Sequence, residues 1–189
     1  MIFTGCDPGT STYGVSQIRY VYGRSHLVYL VDAKKMGEGA KRRWRTRSYI
    51  ADDEITSEAF FDESMPAWRT LIETGFLTGD IAYVEDIIWY PDKGKPQAGR
   101  GQQVLDLAAS AGAFEGILGS KHERVGRVPS RDWRTTVLGL SPRLSAAEAE
   151  KAALANVGLR LENKLPSWVS GHAAEATAIA IFGTTVRGG

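Results

Sequence analysis

The sequence predicts a mixed α/β fold: a five-stranded sheet, three antiparallel strands followed by parallel ones, flanked by helices. Three observations carry this expectation. The first thirty residues hold closely spaced, strand-length apolar runs separated by turn residues. Beyond about residue 60, helical and strand patterns alternate, as in α/β sheets. No internal repeat and no long linker divides the 189 residues. One domain over residues 1–183, with a frayed tail at 184–189, is therefore expected.

The first strand, Ile2 to Asp7, is apolar until its last residue. Pro8 then removes a backbone donor and Gly9 tolerates positive φ, so the chain turns just after the carboxylate. A second strand is expected over Tyr13–Val21 and a third over His26–Val31, joined by a hairpin turn within Val21 to Ser25. Lys34 to Arg47 reads as a basic loop or helix entry around Trp44. A helical pattern through Phe60, Phe61, Trp68, Leu71 and Ile72 ends at Thr74-Gly75, with Ser64 as N-cap.

Asp80 to Glu85 is a fourth strand, again ending in a carboxylate. Trp89 to Gly101 is a Gly/Pro-rich basic loop, and Gln103 to Leu118 a helix rich in small residues that suits close packing or a dimer seam. Arg124 to Val128 is a fifth strand. Ser145 and Glu148 form a capping box for a helix to Val157, ended by Gly158. The closing helix spans Gly171 to Phe182 and stops at Gly183.

A formal net charge of +1 conceals segregation. Lys34, Lys35, Lys41, Arg42, Arg43, Arg45 and Arg47 stand against Glu38 alone, and Lys93, Lys95, Arg100, Arg131 and Arg134 follow later. Basic patches on a near-neutral chain suit a protein that meets phosphate on one face. The single cysteine, Cys6, excludes an internal disulfide or a cysteine-built zinc site. No apolar run approaches the ~20 residues of a membrane span, and Met1 leads straight into a strand, so a cytoplasmic protein is expected.

Three places then stand out for chemistry. Asp7 and Glu85 end strands, and His172 with Glu175 share one face at the first turn of an otherwise apolar helix. Three carboxylates and an imidazole make a plausible site for hard divalent cations. Two ions there would serve phosphodiester hydrolysis.

Asp7-Pro8-Gly9 with Gly14, then Val84-Glu85, then Arg131 to Gly139, then His172-Ala173-Ala174-Glu175-Ala176 resemble, in order, the motifs of the RuvC family of Holliday-junction resolvases. The resemblance implies an RNase H-like fold and a homodimeric endonuclease, dependent on Mg²⁺ or Mn²⁺, that nicks four-way DNA junctions in pairs. It implies that Asp7, Glu85, His172 and Glu175 are the catalytic ligands of two ions per site. His172 and Glu175 fall where many members carry two aspartates, although a histidine also occurs at the first position. Arg134 falls where the family usually has a lysine near the scissile phosphate. Arg131, Trp89, Tyr90, Lys93, Lys95, Arg100, Lys41, Arg42 and Arg43 are the expected DNA contacts, and the helix from Gln103 corresponds to the family's dimer helix. A bacteriophage source would suit so compact a member.

Other readings stay open on sequence grounds. The same chemistry could act on flaps, forks or RNA-containing hybrids, and a decayed site could leave a junction-binding module that does not cut. Asp7-Pro8-Gly9-Thr10 also matches the first phosphate loop of actin-like kinases. The second lobe those enzymes need has little room here.

Overall fold

The computed structural model describes residues 1–38, 41–75, 78–87, 100–140 and 146–186, with the side chains of residues 100 and 146 outside that set. Strands β1 (Ile2–Asp7), β2 (Thr12–Val21), β3 (Arg24–Met36), β4 (Arg43–Ile50) and β5 (Ile55–Asp62) come first. They are followed by α1 (Ala67–Glu73), β6 (Gly79–Asp86), α2 (Arg100–Gly119), β7 (His122–Pro129), α3 (Ser130–Leu138), α4 (Ala146–Arg160) and α5 (Gly171–Val186).

One seven-stranded sheet has the order β5-β4-β3-β2-β1-β6-β7. β1 to β5 form a continuous antiparallel meander, and β6 and β7 join β1 in parallel. The mixed class and the antiparallel-then-parallel order match expectation; the strand count is seven, not five. The additional pair is the β4–β5 hairpin. Arg43 to Arg47 is strand, neither loop nor helix entry: Trp44 and Thr46 are buried on one face, while Arg45 and Arg47 lie on the other. That is the two-residue period of a strand covered on one side. Phe60 and Phe61 belong to β5, and the helix after them begins only at Ala67. Ser64 does not cap it; Pro66 holds the N-cap position, and Ser64 instead donates to Asp62 from both its N–H and its hydroxyl.

The β2–β3 turn is a two-residue loop at Tyr22-Gly23, with φ of 51° and 81°. This is the twist-matched hairpin turn that the sequence signalled. Gly9 is not in the left-handed region. A Cβ on it would meet the Thr12 carbonyl oxygen at 1.9 Å, so close approach, not positive φ, requires glycine there.

Two apolar layers flank the sheet. α1 and α2 cover one face with Ala67, Leu71, Ala111, Phe114 and Leu118 against Tyr13, Val31 and Trp44. α3, α4 and α5 cover the other, with Trp133, Val137, Val157 and Ile179 against Phe3, Ile18 and Leu30. α4 continues through Gly158 to Arg160. α5 passes through Gly183 to Val186, so residues 184–186 are helical and not frayed. Gly183 is there for packing: a Cβ would come within 2.9 Å of Phe3 and Tyr83. Among the described residues, no helix is long and apolar enough to cross a membrane.

Candidate metal centre

Local sequence explains how groups 165 positions apart meet. β1 is central, and its odd-numbered side chains face α5. Gly5 and Gly14 leave room for that helix to lie directly on the sheet. A Cβ at Gly5 would sit 2.0 Å from the Ala176 carbonyl oxygen, and one at Gly14 2.3 Å from that of His172. The helix answers with Ala173, Ala174, Ala176, Ala178 and Ala180, all buried. Backbone thus approaches backbone, and the first turn of α5 is delivered to the end of β1.

There His172 Nδ1 and Asp7 Oδ2 are 2.6 Å apart, and Nε2 of the same ring lies 3.0 Å from Thr12 Oγ1. Asp7, His172 and Glu175 each present a donor atom within 4.8 Å of the others. Both carboxylates are buried. Cys6 pairs with Val84 across β1 and β6, so Asp7 and Glu85 follow as next residues on parallel neighbours. Buried Glu85 lies outside the trio but close enough to repel Asp7. Its Oε1 accepts from the Ser130 hydroxyl at 2.5 Å.

The electrostatics follow from burial. Loss of water pushes the Asp7 carboxyl up to about 7; the His172 hydrogen bond opposes this and Glu85 adds to it. Glu175 is likewise pushed up to about 7 by burial, then by Asp7, with Arg134 opposing. His172 is raised to about 9, chiefly by its hydrogen bond to Asp7. The metal-free cluster therefore holds protons that its donor groups would lose on meeting a cation. Two buried carboxylates and an imidazole converging within a few ångströms fit a hard or borderline divalent ion.

Arg134 projects from α3, with Nη2 3.2 Å from Glu175 Oε1 and the guanidinium 5.0 Å from the Trp133 ring centre. Arg131, one turn earlier, is exposed beside Asp132. It stands at the same end of the sheet as Glu85, because β7 runs parallel to β6 into α3. Lys41, Arg42 and Arg43 are exposed where β3 passes to β4, at the end of the sheet that carries Asp7. Trp89, Tyr90, Lys93 and Lys95, and the Arg100 side chain, lie outside the described residues.

Three neighbours of the site carried no sequence signal of their own. Thr12 fixes the far nitrogen of His172, and Ser130 holds Glu85. Glu150, on α4, places Oε1 4.0 Å from His172 Nε2. Their roles arise from turns and helix packing that residue spacing does not encode.

No family model matches the chain, and no curated protein matches it. Among solved structures, it is similar to RuvC of T. thermophilus in complex with a Holliday-junction substrate. That match has a TM-score of 0.53 and 14% identity, over 99% of this chain and 94% of that one. A Thermus thermophilus RuvC structure aligns with a TM-score of 0.46 and 14% identity, over 99% of this chain and 95% of the other. The chain has the RuvC-like, RNase H-type fold, with the β4–β5 hairpin continuing its sheet beyond β3.

Proposed function

We propose that the chain is a divalent-metal-dependent endonuclease that resolves four-way DNA junctions by paired nicks. The observation that carries the reading is the convergence of Asp7, His172 and Glu175 within 4.8 Å, with Glu85 on the neighbouring strand, in a fold shared with a junction-bound RuvC.

Asp7, Glu175 and His172 would hold one Mg²⁺ or Mn²⁺, and Glu85 with Asp7 would complete the site for a second. When bound, such ions supply Lewis-acid assistance to the phosphate and favour ionisation of the attacking water. The protein's own groups do the rest. Asp7 orients the His172 ring from one side and Thr12 from the other. Ser130 fixes the rotamer of Glu85. Arg134, held by Glu175 and lying against Trp133, brings a planar cation to the phosphate that is cut. Arg131, Lys41, Arg42 and Arg43 contact flanking phosphates, which position DNA without reading its sequence. A homodimer through α2 would match the two-fold symmetry of a junction.

The test is a panel of labelled DNAs (four-way junction, flap, fork and linear duplex) incubated with Mg²⁺ or Mn²⁺ in turn. The expected result is paired nicks in opposed strands of the junction, with linear duplex intact. Equal cutting of linear duplex, or none of any substrate with either metal, contradicts the proposal.

A further inference from the structure

The β4–β5 hairpin contributes nothing to the trio, yet it sets a row of positive charge beside it. Trp44 and Thr46 are buried on the α1–α2 side of β4, so Arg45 and Arg47 occupy the face on which α5 lies. Thr12 pairs with Lys34, and Lys34 with Arg45, so the three stand abreast across β2, β3 and β4. The row begins at the metal centre, because the Thr12 hydroxyl bonds His172. At ~4.8 Å between strands, Arg45 lies about 10 Å from Thr12. A cavity of about 320 Å³ opens above this row, lined by Thr12, Lys34, Arg45, Arg47, Trp168 and His172 among others.

The cations here have hydrogen-bond donors to spare. Lys34 is exposed and makes no ion pair among the described residues. Arg45 and Arg47 share one carboxylate, Glu58, at 3.6 and 2.8 Å. Each guanidinium has five N–H donors, so one shared carboxylate leaves several of them free to bind. Of the two acids on the cavity wall, Asp32 accepts from the Ser170 N–H and hydroxyl, at 3.2 and 2.7 Å, and also lies within electrostatic reach of Arg45. The other, Glu150, faces His172 from α4. The Arg47 guanidinium lies 5.9 Å from the Trp168 ring centre, which steadies that side chain at the cavity margin.

We propose that this cavity is a phosphate-binding subsite for the DNA strand leaving the metal centre across β4. It takes a backbone phosphodiester flanking the one that is cut, gripped by Lys34 and Arg45, with Arg47 at its margin. The inference rests on the nuclease reading and adds to it the path of one strand.

Binding of a fluorescein-labelled four-way junction, measured by anisotropy in EDTA over a range of salt concentrations, tests it without any cleavage. Each of Lys34→Ala and Arg45→Ala is expected to lower the slope of log affinity against log salt by about 1. Lys34→Arg and Arg45→Lys keep the charge and should keep the slope. Lys121→Ala, at the opposite end of the sheet from Glu85, should also leave it unchanged. Thermal melts of the variants confirm folding. Unchanged slopes for both alanine variants overturn the subsite while leaving the nuclease reading standing. An equal loss from Lys121→Ala overturns it too, since bulk charge would then account for the effect. A wild-type protein that binds no junction overturns both.

Discussion

Replacing Asp7 with asparagine should make the metal-free protein more stable while abolishing its response to metal. The Asp7 carboxyl ionises at about 7 in the folded chain against an ordinary 3.8, because it is buried next to Glu85. The folded state therefore binds that proton more tightly than the unfolded chain. The contribution of this one carboxyl to stability is full below pH ~4, falls as pH rises toward 7, and stays reduced above that. A shift of about three units corresponds to roughly 4 kcal/mol at pH 8.5. Loss of the Asp7 charge from its pairing with His172 offsets part of this, so Asp7→Asn should gain about 2–4 kcal/mol there. At about 2–4 °C per kcal/mol for a chain of this size, the midpoint should rise by roughly 4–16 °C. At pH 4.5 the gain should shrink to about 1 kcal/mol. Melts in EDTA at the two pH values, and again with millimolar Mn²⁺, give every number required. Wild type should be stabilised by Mn²⁺ at pH 8.5 and the variant should not. An Asp7→Asn protein less stable than wild type at pH 8.5 in EDTA, or one still raised by Mn²⁺ as wild type is, refutes the reasoning.

Three further outcomes follow from the same geometry. Gly14→Ala puts a Cβ 2.3 Å from the His172 carbonyl oxygen, which forces α5 off the sheet; chemical denaturation should show a loss of about 1–3 kcal/mol, together with weaker Mn²⁺ binding by calorimetry. Glu85→Ala should leave junction binding intact in a gel-shift assay and abolish cutting; a variant that still nicks removes Glu85 from the metal site. Arg134→Ala should slow cleavage by about 10²-fold or more, as for loss of a charge-stabilising donor, while Arg134→Lys, which keeps the charge but not the fork, should fall between the two in single-turnover assays.

Much of this architecture is legible in the chain because it is local. The apolar run ending at Asp7 is β1, Tyr22-Gly23 is the two-residue turn, and Asp80 to Glu85 lies within β6. The β4–β5 hairpin was obscured by its polarity. Arg43 to Arg47 alternates arginine with Trp44 and Thr46, a two-residue period in which the outward face is basic rather than merely polar. Phe60 and Phe61 fall at helical spacing from Trp68, which hid the break at Pro66. Trp133 and Val137, four apart and both fully buried, are the signature of α3, a helix of 9 residues that follows directly on β7. At the site, Asp7, His172 and Glu175 could be found because carboxylates and imidazole are conspicuous at the ends of apolar elements. Thr12, Ser130 and Glu150 could not, since each acquires its role from a contact made only after the helices dock.

A divalent ion is expected between the end of β1 and the first turn of α5, where Asp7, His172 and Glu175 converge. Anomalous diffraction from crystals grown with Mn²⁺ locates such an ion directly. The expected result is a peak about 2.0–2.3 Å from oxygens of Asp7 and Glu175, with His172 or Glu85 completing the shell. A map with no peak at that position, from crystals whose Mn²⁺ binds elsewhere on the protein, contradicts the account.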